Sequence, residues 1–387
     1  MTKVLTWPEV ELGDVIDLFD SKRIPLSGKE RSTRQGKYPY FGASGVIDYI
    51  DDYIFDGEYL LVAEDGENLN SRKLPIAFWG KGKFWVNNHA HILRGKKGLA
   101  NTDFIKHWLL QANISGYITG AAQPKLNQAN LCRIKLALPS IETQNAIAEK
   151  LSNYDNLIEN NNRRIAILED IAQSLYREWF VKFRYPGHED NPDADGNAKL
   201  VDSPLGQIPE GWDVKRLDDY VILQRGFDLP KKKRNEQGSI PIYAASGING
   251  FHDEAKAKGV GVVTGRSGTL GVVKLVLEDY WPLNTSLWVK EFKGCTAYYA
   301  YYLLSSMGLE RFNSGASVPT LNRNDVHGNP VIAPPQDLID KFEEIVAVNH
   351  RQINVLERKN KNLKQQRDML LPKLISGQIE LSGVDDV

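Results

Sequence analysis

A repeating pattern of apolar positions is the clearest feature in the middle of the chain. Steps of four and three residues from Ile147 reach ten positions, of which nine are apolar or aromatic. The pattern covers more than four heptads and predicts a long helix that buries one face against a partner helix. We call these positions the first seam: Ile147, Leu151, Tyr154, Ile158, Asn161, Ile165, Leu168, Ala172, Leu175 and Trp179.

A second, weaker seam lies 195 residues further along the chain, with seven apolar positions out of ten. Each helix would span about 40 residues, or about 60 Å. Each could pack separately on its own globular block, but the matched lengths and seams favour pairing of the two helices. The second seam consists of Phe342, Val346, Asn349, Ile353, Leu356, Asn360, Leu363, Arg367, Leu370 and Leu374.

The blocks that precede the two helices also resemble each other. Four sets of residues recur in one order with an offset of 195 to 202 residues, which indicates a tandem duplication. The pairs are Tyr38-Pro-Tyr-Phe-Gly-Ala-Ser-Gly45 with Ile240-Pro-Ile-Tyr-Ala-Ala-Ser-Gly247, Gly57 and Gly66 with Gly259 and Gly268, Trp85-Val-Asn-Asn88 with Trp281-Pro-Leu-Asn284, and Gly120-Ala-Ala-Gln-Pro-Lys-Leu-Asn127 with Gly315-Ala-Ser-Val-Pro-Thr-Leu-Asn322.

In each block, short β-type runs are separated by Gly, Pro and Asn turns and followed by one short helical segment. This pattern predicts a compact α+β domain. The predicted strands are 59–63, 89–93, 260–264 and 271–277, and the short helices are 104–112 and 298–307. Two such heads in tandem and an antiparallel two-helix coiled coil form the predicted fold, with pseudo-twofold symmetry. The predicted parts are a first domain 1–140, a central spacer helix 141–184, an acidic linker 185–204, a second domain 205–335, a distal spacer helix 336–378 and a tail 379–387.

Composition and charge add little to this outline. The net charge is −1 overall, with +3 on residues 1–140 and +2 on residues 205–335, which is weak support for two domains that bind a polyanion. No signal peptide or membrane-spanning run is visible, and two cysteines are too few for a disulfide framework or a thiolate metal site. We therefore expect a soluble, cytoplasmic protein.

The whole chain resembles the specificity (S) subunits of type I restriction–modification enzymes. The resemblance rests on the repeat, the two helical spacers and local phrases in a fixed order. These phrases are Leu205-Gly-Gln-Ile-Pro-Glu-Gly-Trp212, Gly315 to Asn322 leading to Ala333-Pro-Pro335, and Leu371-Pro-Lys-Leu-Ile-Ser-Gly-Gln-Ile-Glu-Leu381.

The resemblance implies that each domain recognises one half of a bipartite double-stranded DNA target and that the helices set the gap between the halves. It also implies two methyltransferase subunits as partners, and it allows for restriction subunits that translocate DNA. No membrane contact and no cofactor on this chain are expected, and S-adenosylmethionine would bind to the methyltransferase subunits.

Several polar and basic segments are candidates for DNA contact, each weighed against a plain surface turn. Lys231 to Arg234 would hold phosphates, and Arg266, in a tight turn, would recognise guanine. Glu64 occupies the position equivalent to Arg266 in the first domain, which suits domains that recognise different sequences. The full candidate set is Asn68, Asn70, Ser71, Arg72, Lys73, Asn87, Asn88, His89, Lys125, Asn127, Arg225, Lys231, Lys232, Lys233, Arg234, Arg266, Ser267, Asn284, Thr285, Ser286, Thr320, Asn322 and Arg323.

Patterns that suggest other chemistry are weaker. His89 and His91 alternate along a strand, but the sequence offers no nearby cysteine or carboxylate to complete a zinc site. The segment Asn191 to Gly196 resembles the start of a calcium loop but suits an acidic linker better. No metal site and no catalytic residues are predicted. Two other hypotheses stay open: an interaction scaffold whose heads recognise protein or glycan, and an enzyme that uses the polar loops.

Overall fold

The computed structural model describes residues 7–120, 122–190, 192 and 196–379, which form two compact units. Unit 1 contains the chain up to Asn160 together with the residues from Lys359 onward, and unit 2 contains Asn161–Arg358. Each unit therefore combines one globular head with a part of both long helices. Both heads mix strands and helices, as the sequence predicts. The segment that resembles a calcium loop lies partly outside the described residues.

The head of unit 1 is built on a six-stranded sheet in the order β2-β7-β5-β6-β3-β4, in which only β3 and β6 pair in parallel. A separate ladder joins β1 to β8 and so brings the two ends of the head together. The elements are β1 (Glu9–Glu11), α1 (Leu12–Val15), β2 (Ile16–Leu18), α2 (Gly28–Thr33), β3 (Gln35–Gly42), β4 (Gly45–Ile50), β5 (Phe55–Ala63), α3 (Asn68–Ser71), β6 (Ala77–Val86), β7 (Ala90–Gly95), α4 (Thr102–Gln111), α5 (Gln128–Cys132) and β8 (Lys135–Ala137).

The first long helix, α6 (Ile141–Tyr176), begins directly after Ser140 and ends in a π-helical turn, Arg177–Val181. Ser140 caps this helix, because its Oγ accepts a hydrogen bond from the Thr143 N–H at 3.3 Å. The segment after α6 approaches the second head through Tyr185, whose ring lies 5.2 Å from that of Trp212. The end of the predicted linker is a strand, because Leu200–Ser203 pairs with Gly206–Pro209 in a hairpin.

The head of unit 2 has the same strand pairing, with one break. The segment that corresponds to β6 is split into β16 and β17, so the sheet separates into β12-β18-β15-β16 and β14-β13-β17. The break lies at residues 277–280, between the end of β16 and the start of β17. The elements are β9 (Leu200–Ser203), β10 (Gly206–Pro209), β11 (Asp213–Arg216), β12 (Val221–Arg225), β13 (Ile240–Ala244), β14 (Gly247–His252), β15 (Gly261–Gly265), β16 (Val273–Val276), β17 (Trp281–Pro282), β18 (Ser286–Phe292), α7 (Ala297–Ser306), α8 (Arg323–His327), β19 (Pro330–Ala333) and α9 (Gln336–Ile375).

The four strands and two short helices predicted from the sequence overlap β5, β7, β15, β16, α4 and α7, and their predicted bounds differ from the observed ones by up to four residues. Each position of both seams is buried or half-buried. Apolar side chains from a seam lose contact with water along the full length of α6 and α9, which is the main source of stability for such long helices.

Within each unit, the beginning of one long helix packs against the end of the other. In unit 1, Leu151 near the start of α6 shares a core with Leu371 and Leu374 from the end of α9. In unit 2, the ring of Tyr176 at the end of α6 lies 5.8 Å from that of Phe342 near the start of α9. The pairing in both units is therefore antiparallel. How the heads of the two units are arranged stays a prediction.

A polar joint ties the head of unit 1 to both helices. The Asp155 carboxylate on α6 accepts hydrogen bonds from Lys106 Nζ on α4 at 2.8 Å and from Arg367 Nη1 on α9 at 2.6 Å. Burial acts to raise the pKa of Asp155, but Lys106 and Arg367 outweigh burial and lower it. His107 lies beside this joint, and burial together with Lys106 lowers its pKa to about 3, so that the ring is neutral.

The corresponding joint in unit 2 is aromatic. His350 stands at the position equivalent to Asp155, and its Nε2 lies 2.9 Å from the Tyr302 hydroxyl on α7. Burial lowers the pKa of His350 to about 4, so this ring is also neutral at pH 7. The duplication thus preserves the place of the joint and changes its chemistry from ionic to neutral.

The joint of unit 1 predicts a pH-dependent contribution to stability. Asp155→Asn should lower the free energy of unfolding at pH 7 by about 2–4 kcal/mol, because Lys106 and Arg367 lose their shared counter-charge. A carboxyl whose pKa is lowered on folding stabilises the fold above its unfolded pKa of about 3.9, and this contribution disappears as the pH falls through the folded pKa. Denaturation curves at pH 7 and pH 3 should show a large gap between wild type and variant that shrinks in acid.

Glu9→Gln provides the control, because the Glu9–Lys135 ion pair is mostly solvent-exposed and should leave the unfolding midpoint unchanged. A gap between wild type and Asp155→Asn that is equal at both pH values would show that the charge of Asp155 is not what matters.

Candidate nucleic-acid interface

Three loops of unit 1 meet beside the ends of β5 and β7, at a place we call junction 1. The Glu64 N–H donates to the carbonyl of His89 at 2.9 Å, and the Leu126 N–H donates to the carbonyl of Glu64 at 2.7 Å. The Gly66 N–H donates to Pro124 at 3.0 Å, and Gly66 has a φ of 102°, which glycine adopts without strain. Residues from three distant parts of the sequence are therefore fixed side by side.

The equivalent loops of unit 2 form junction 2 with the same backbone hydrogen bonds. Arg266 N–H donates to Thr285 at 2.9 Å, Leu321 N–H donates to Arg266 at 2.8 Å, and Gly268 N–H donates to Pro319 at 2.9 Å. Gly268 has a φ of 91°, close to that of Gly66. The recurring glycines and the recurring proline–leucine–asparagine phrase of the sequence thus mark one backbone arrangement that occurs in each unit.

The side chains at the two junctions differ sharply. At junction 1, the Glu64 carboxylate lies 2.6 Å from Arg23 Nη1 and 3.4 Å from Lys125 Nζ. At junction 2, Arg266 stands in the place of Glu64 and donates a long hydrogen bond of 3.4 Å to the carbonyl of Asn284. Of the carboxylates that the structure describes, none lies within ion-pair distance of Arg266. At junction 1, the charge of Glu64 is balanced by two cations. At junction 2, Arg266 is half-buried and has no counter-ion among the described residues.

Junction 2 also has an unused hydrogen-bonding group. The hydroxyl of Thr285 is buried and has no hydrogen-bond partner among the described residues. A buried hydroxyl without a partner costs free energy, and such groups often mark the place of a ligand or water. The backbone bond from the Arg266 N–H to the Thr285 carbonyl holds these two residues next to each other.

A buried network of ion pairs and hydrogen bonds lies next to junction 1 and includes Glu64. His91 is fully buried, with Nδ1 at 2.6 Å from Asp20 Oδ2 and Nε2 at 2.7 Å from the carbonyl of Leu126. Because a carbonyl only accepts, Nε2 carries a proton, and the other nitrogen faces the carboxylate. Arg23 completes the network with contacts to Asp20 and Glu64.

Ligand atoms of Asp20, Glu64 and His91 lie within 4.8 Å of one another, close enough to surround a metal ion. Both nitrogens of His91 are already engaged in hydrogen bonds, and the guanidinium of Arg23 contacts both carboxylates. An ion bound here would have to displace these groups. We therefore describe the cluster as an ion network.

Several predicted contact residues hold the fold together through their polar groups. Arg72 donates to the carbonyls of Leu109 and Ala112 at the end of α4, and burial lowers its pKa. Asn127 and Asn322 cap α5 and α8. These contacts disfavour recognition of DNA by those groups. The others bonded within the fold are Asn68 with Leu74, Asn87 with His89, Arg234 with Leu229 and Asn249, Asn284 with Asp228, and Ser286 with Leu283.

The remaining predicted contacts lie wholly or partly at the surface. Lys231–Lys233 form an exposed single turn of 3-10 helix. His89 is 46% exposed and lies 2.7 Å from Asp65 at the edge of junction 1. These residues stay candidates. The rest of this group is Asn70, Ser71, Lys73, Asn88, Lys125, Arg225, Ser267, Thr320 and Arg323, with Ser267 and Thr320 paired by a β-bridge beside Arg266.

Sequence reasoning missed the residues that set the charge of junction 1. Asp20 and Arg23 lie more than 40 positions before Glu64, and no local pattern connects them. In the sequence, His91 shows only its alternation with His89, a pattern that suggests a metal ligand. The one usable signal was the exchange of Glu64 for Arg266 between the two halves, which requires a compensating cation near Glu64.

The comparisons with known proteins agree on one class. The family model described as "Type I restriction modification DNA specificity domain" matches residues 5–170 and 209–365. A putative type I restriction enzyme specificity subunit of Haemophilus influenzae is 25% identical over 395 residues, covering 96% of this chain and 97% of its own length. The MjaIX specificity subunit of Methanocaldococcus jannaschii is 25% identical over 427 residues, covering 96% of both chains.

A solved structure shows the same fold. The type I restriction–modification S subunit from M. genitalium superposes with a TM-score of 0.67 at 19% sequence identity, over 97% of each chain. The duplicated α+β heads and the paired long helices thus define a tandem-repeat DNA specificity protein. The chain belongs to the type I restriction–modification DNA specificity family. No helix in the described part of the chain is long and apolar enough to cross a membrane.

Removal of Arg23 tests the charge balance of junction 1. Arg23→Ala would leave Asp20 and Glu64 beside each other without their shared cation, and it should destabilise unit 1 by about 3–5 kcal/mol. Hydrogen exchange in β5 and β7, followed by mass spectrometry, should speed up in the variant. Lys97→Ala, at an exposed position, serves as the control. Unchanged exchange in Arg23→Ala would mean that the network contributes little to the junction.

Proposed function

We propose that this chain is the DNA sequence-specificity subunit of a type I restriction–modification enzyme. It binds a bipartite target, with one half-site for each head and a gap set by the helical spacers. It directs methyltransferase and restriction subunits to that target. The chain contributes recognition, and catalysis belongs to its partners.

The observation that carries this proposal is the pair of junctions with equal backbones and different side chains. A DNA specificity protein needs a fixed scaffold that places side chains against base edges, and it needs those side chains to differ between half-sites. Junctions 1 and 2 supply both. A scaffold for protein or glycan, or an enzyme, gives no reason for this combination.

Junction 2 has the chemistry to recognise guanine. Arginine forms two hydrogen bonds with the O6 and N7 acceptors of guanine in the major groove, worth about 1–3 kcal/mol against other bases. Arg266 is half-buried and has no competing carboxylate among the described residues. The exposed Lys231–Lys233 turn of the same unit would bind phosphate groups and add affinity without sequence choice.

Junction 1 has different chemistry. Lys125 pairs with Glu64, and His89 pairs with Asp65, the next residue along the chain. Junction 1 therefore offers both donors and acceptors to a base pair. The first half-site therefore has a sequence unlike that of the second half-site. Two methyltransferase subunits with S-adenosylmethionine would carry out the chemistry on the adenines of the two half-sites.

A methylome tests the proposed function directly. The chain would be expressed with its cognate methyltransferase subunit in a bacterial host that lacks DNA methylation, and modified adenines would be mapped by single-molecule sequencing. We expect one split motif, made of two short and different half-sites around a fixed gap. A stable complex that methylates no split motif would contradict the proposal.

Substitutions in unit 2 separate recognition of a base from attraction to phosphate. Arg266→Ala should relax the choice at one base of the second half-site and leave the first half-site unchanged. Lys232→Ala should weaken binding to all sequences equally and reduce the dependence of binding on salt by about one ion. Binding of duplexes with single substitutions, measured at several salt concentrations, distinguishes the two. Uniform weakening by Arg266→Ala would show that Arg266 contacts phosphate instead.

A further inference from the structure

The loop after β12 brings an acidic residue to junction 2 that is not among the predicted contacts. Asp228 is exposed, and its carboxylate accepts a hydrogen bond from the side-chain amide of Asn284. The backbone carbonyl of the same Asn284 accepts the 3.4 Å hydrogen bond from the guanidinium of Arg266. One residue of junction 2 is therefore in contact with both a carboxylate and a guanidinium.

Asp228 is the counterpart of Arg23 in unit 1. Leu18 in β2 and Leu223 in β12 hold equivalent places, because each pairs with the same position of the strand that follows its junction, β7 or β18. Arg23 and Asp228 each lie five residues after that leucine and two residues before a proline. In both units, a tryptophan indole donates to the backbone of this loop, at 2.6 Å in unit 1 and 3.4 Å in unit 2. Each loop thus supplies one charged side chain to its junction.

The duplication reverses the charges of this pair and separates its two members. In unit 1, the Arg23 guanidinium lies 2.6 Å from the Glu64 carboxylate, and the two side chains are only 15% and 11% exposed. In unit 2, the acid is on the loop and the cation is in the junction, and no ion pair joins Asp228 to Arg266 among the described residues. Unit 1 therefore has a closed ion pair, whereas the equivalent groups of unit 2 are linked only through Asn284.

The two separated groups of unit 2 have complementary hydrogen-bonding capacity. A guanidinium has five N–H donors, and a carboxylate has only acceptors. Within the part of the chain that the structure describes, the side chain of Arg266 makes one long hydrogen bond and that of Asp228 makes one. Most of the donors of Arg266 and the acceptors of Asp228 are therefore available to a ligand.

A G·C base pair presents the matching pattern in the major groove. Guanine offers the N7 and O6 acceptors, and cytosine offers the N4 amino group as a donor. Arginine suits the guanine edge, and aspartate suits the cytosine amino group. A phosphate group does not fit Asp228, because two negative charges repel each other. An exposed carboxylate beside Arg266 therefore favours contact with a base over contact with the DNA backbone.

We propose that Asp228 is a specificity-determining residue for the second half-site. Arg266 donates to the guanine of one G·C pair, and Asp228 accepts from the N4 amino group of the cytosine in the same pair, so that both strands of that pair are recognised. This inference rests on the proposed function. At junction 1, the equivalent Arg23 and Glu64 neutralise each other instead.

The experiment measures binding of the full chain, in complex with its cognate methyltransferase subunit, to duplexes that carry the motif found in the methylome. Each cytosine of the motif is replaced in turn by pyrimidin-2-one, which lacks the 4-amino group. At the cytosine that pairs with the guanine chosen by Arg266, the wild type should lose at least fivefold in affinity. Asp228→Ala should bind the normal and the altered duplex within twofold of each other. Any weakening of the base pair itself by the analogue affects wild type and variant alike.

Two control variants separate direct contact from indirect effects. Glu291→Ala removes an exposed carboxylate near the far end of β18 and should respond to the analogue like the wild type. Asn284→Ala removes the amide that contacts Asp228 but keeps the carbonyl that contacts Arg266, and it should also keep the wild-type response. Thermal unfolding checks that all variants are folded.

Three results would overturn the inference: a second half-site without a G·C pair, an equal response of wild type and Asp228→Ala at every cytosine, or loss of the response in Asn284→Ala. The last result would show that Asp228 acts only by holding Asn284. The methylome of the wild type decides the proposed function separately. A split motif without the expected response removes only the inference, whereas the absence of a split motif removes the function on which it rests.

Discussion

The structure depends on one packing constraint: neither unit completes its hydrophobic core with its own head alone. Leu371 and Leu374 come from the end of the chain and lie in the core of unit 1 beside Ile147 and Leu151. In unit 2, Tyr176 and Phe342 bring the end of α6 and the start of α9 into the core of the second head. Both long helices are therefore shared between units, and a change at either end of α6 or α9 affects the fold of a head.

Sharing of the helices also explains why some features recur between the two halves and others do not. Seam positions and the backbone of the junctions recur because both are needed to form a unit at all. Side chains that only complete a joint can change if their neighbours change together, as the ionic Asp155 and the neutral His350 show. At the junctions, the exchange of Glu64 for Arg266 is accompanied by Arg23 and Lys125 in unit 1. Specificity can therefore diverge without loss of the scaffold.

Much of this fold could be predicted from the sequence because its signals are local and periodic. The seams are visible as a heptad repeat, and every predicted position is at least half-buried. Gly66 recurs in the sequence as Gly268, and both adopt a positive φ that glycine adopts without strain. The break of one sheet into two in unit 2 was not predictable, since it depends on where β16 ends and β17 begins against their neighbouring strands.

The individual contact residues were much harder to predict. Arg72 and Asn127 have the residue types of DNA contacts, but Arg72 bonds to carbonyls almost 40 positions away and Asn127 caps a helix. Nothing in the local sequence distinguishes an arginine that binds a helix end from one that meets a base. The network of Asp20, Arg23, Glu64 and His91 joins residues from separate strands and loops. Such sites depend on tertiary structure, which a linear pattern does not contain.

The most direct test of the central claim, that two recognition heads are spaced by the long helices, is a change in helix length. About four residues, one helical turn of roughly 6 Å, would be inserted near Asn161 and again near Asn360, and the methylome of the variant would be mapped. The account predicts unchanged half-sites and a gap longer by about one or two base pairs, at roughly 3.4 Å for each base pair. Retention of both half-sites with the original gap would contradict it.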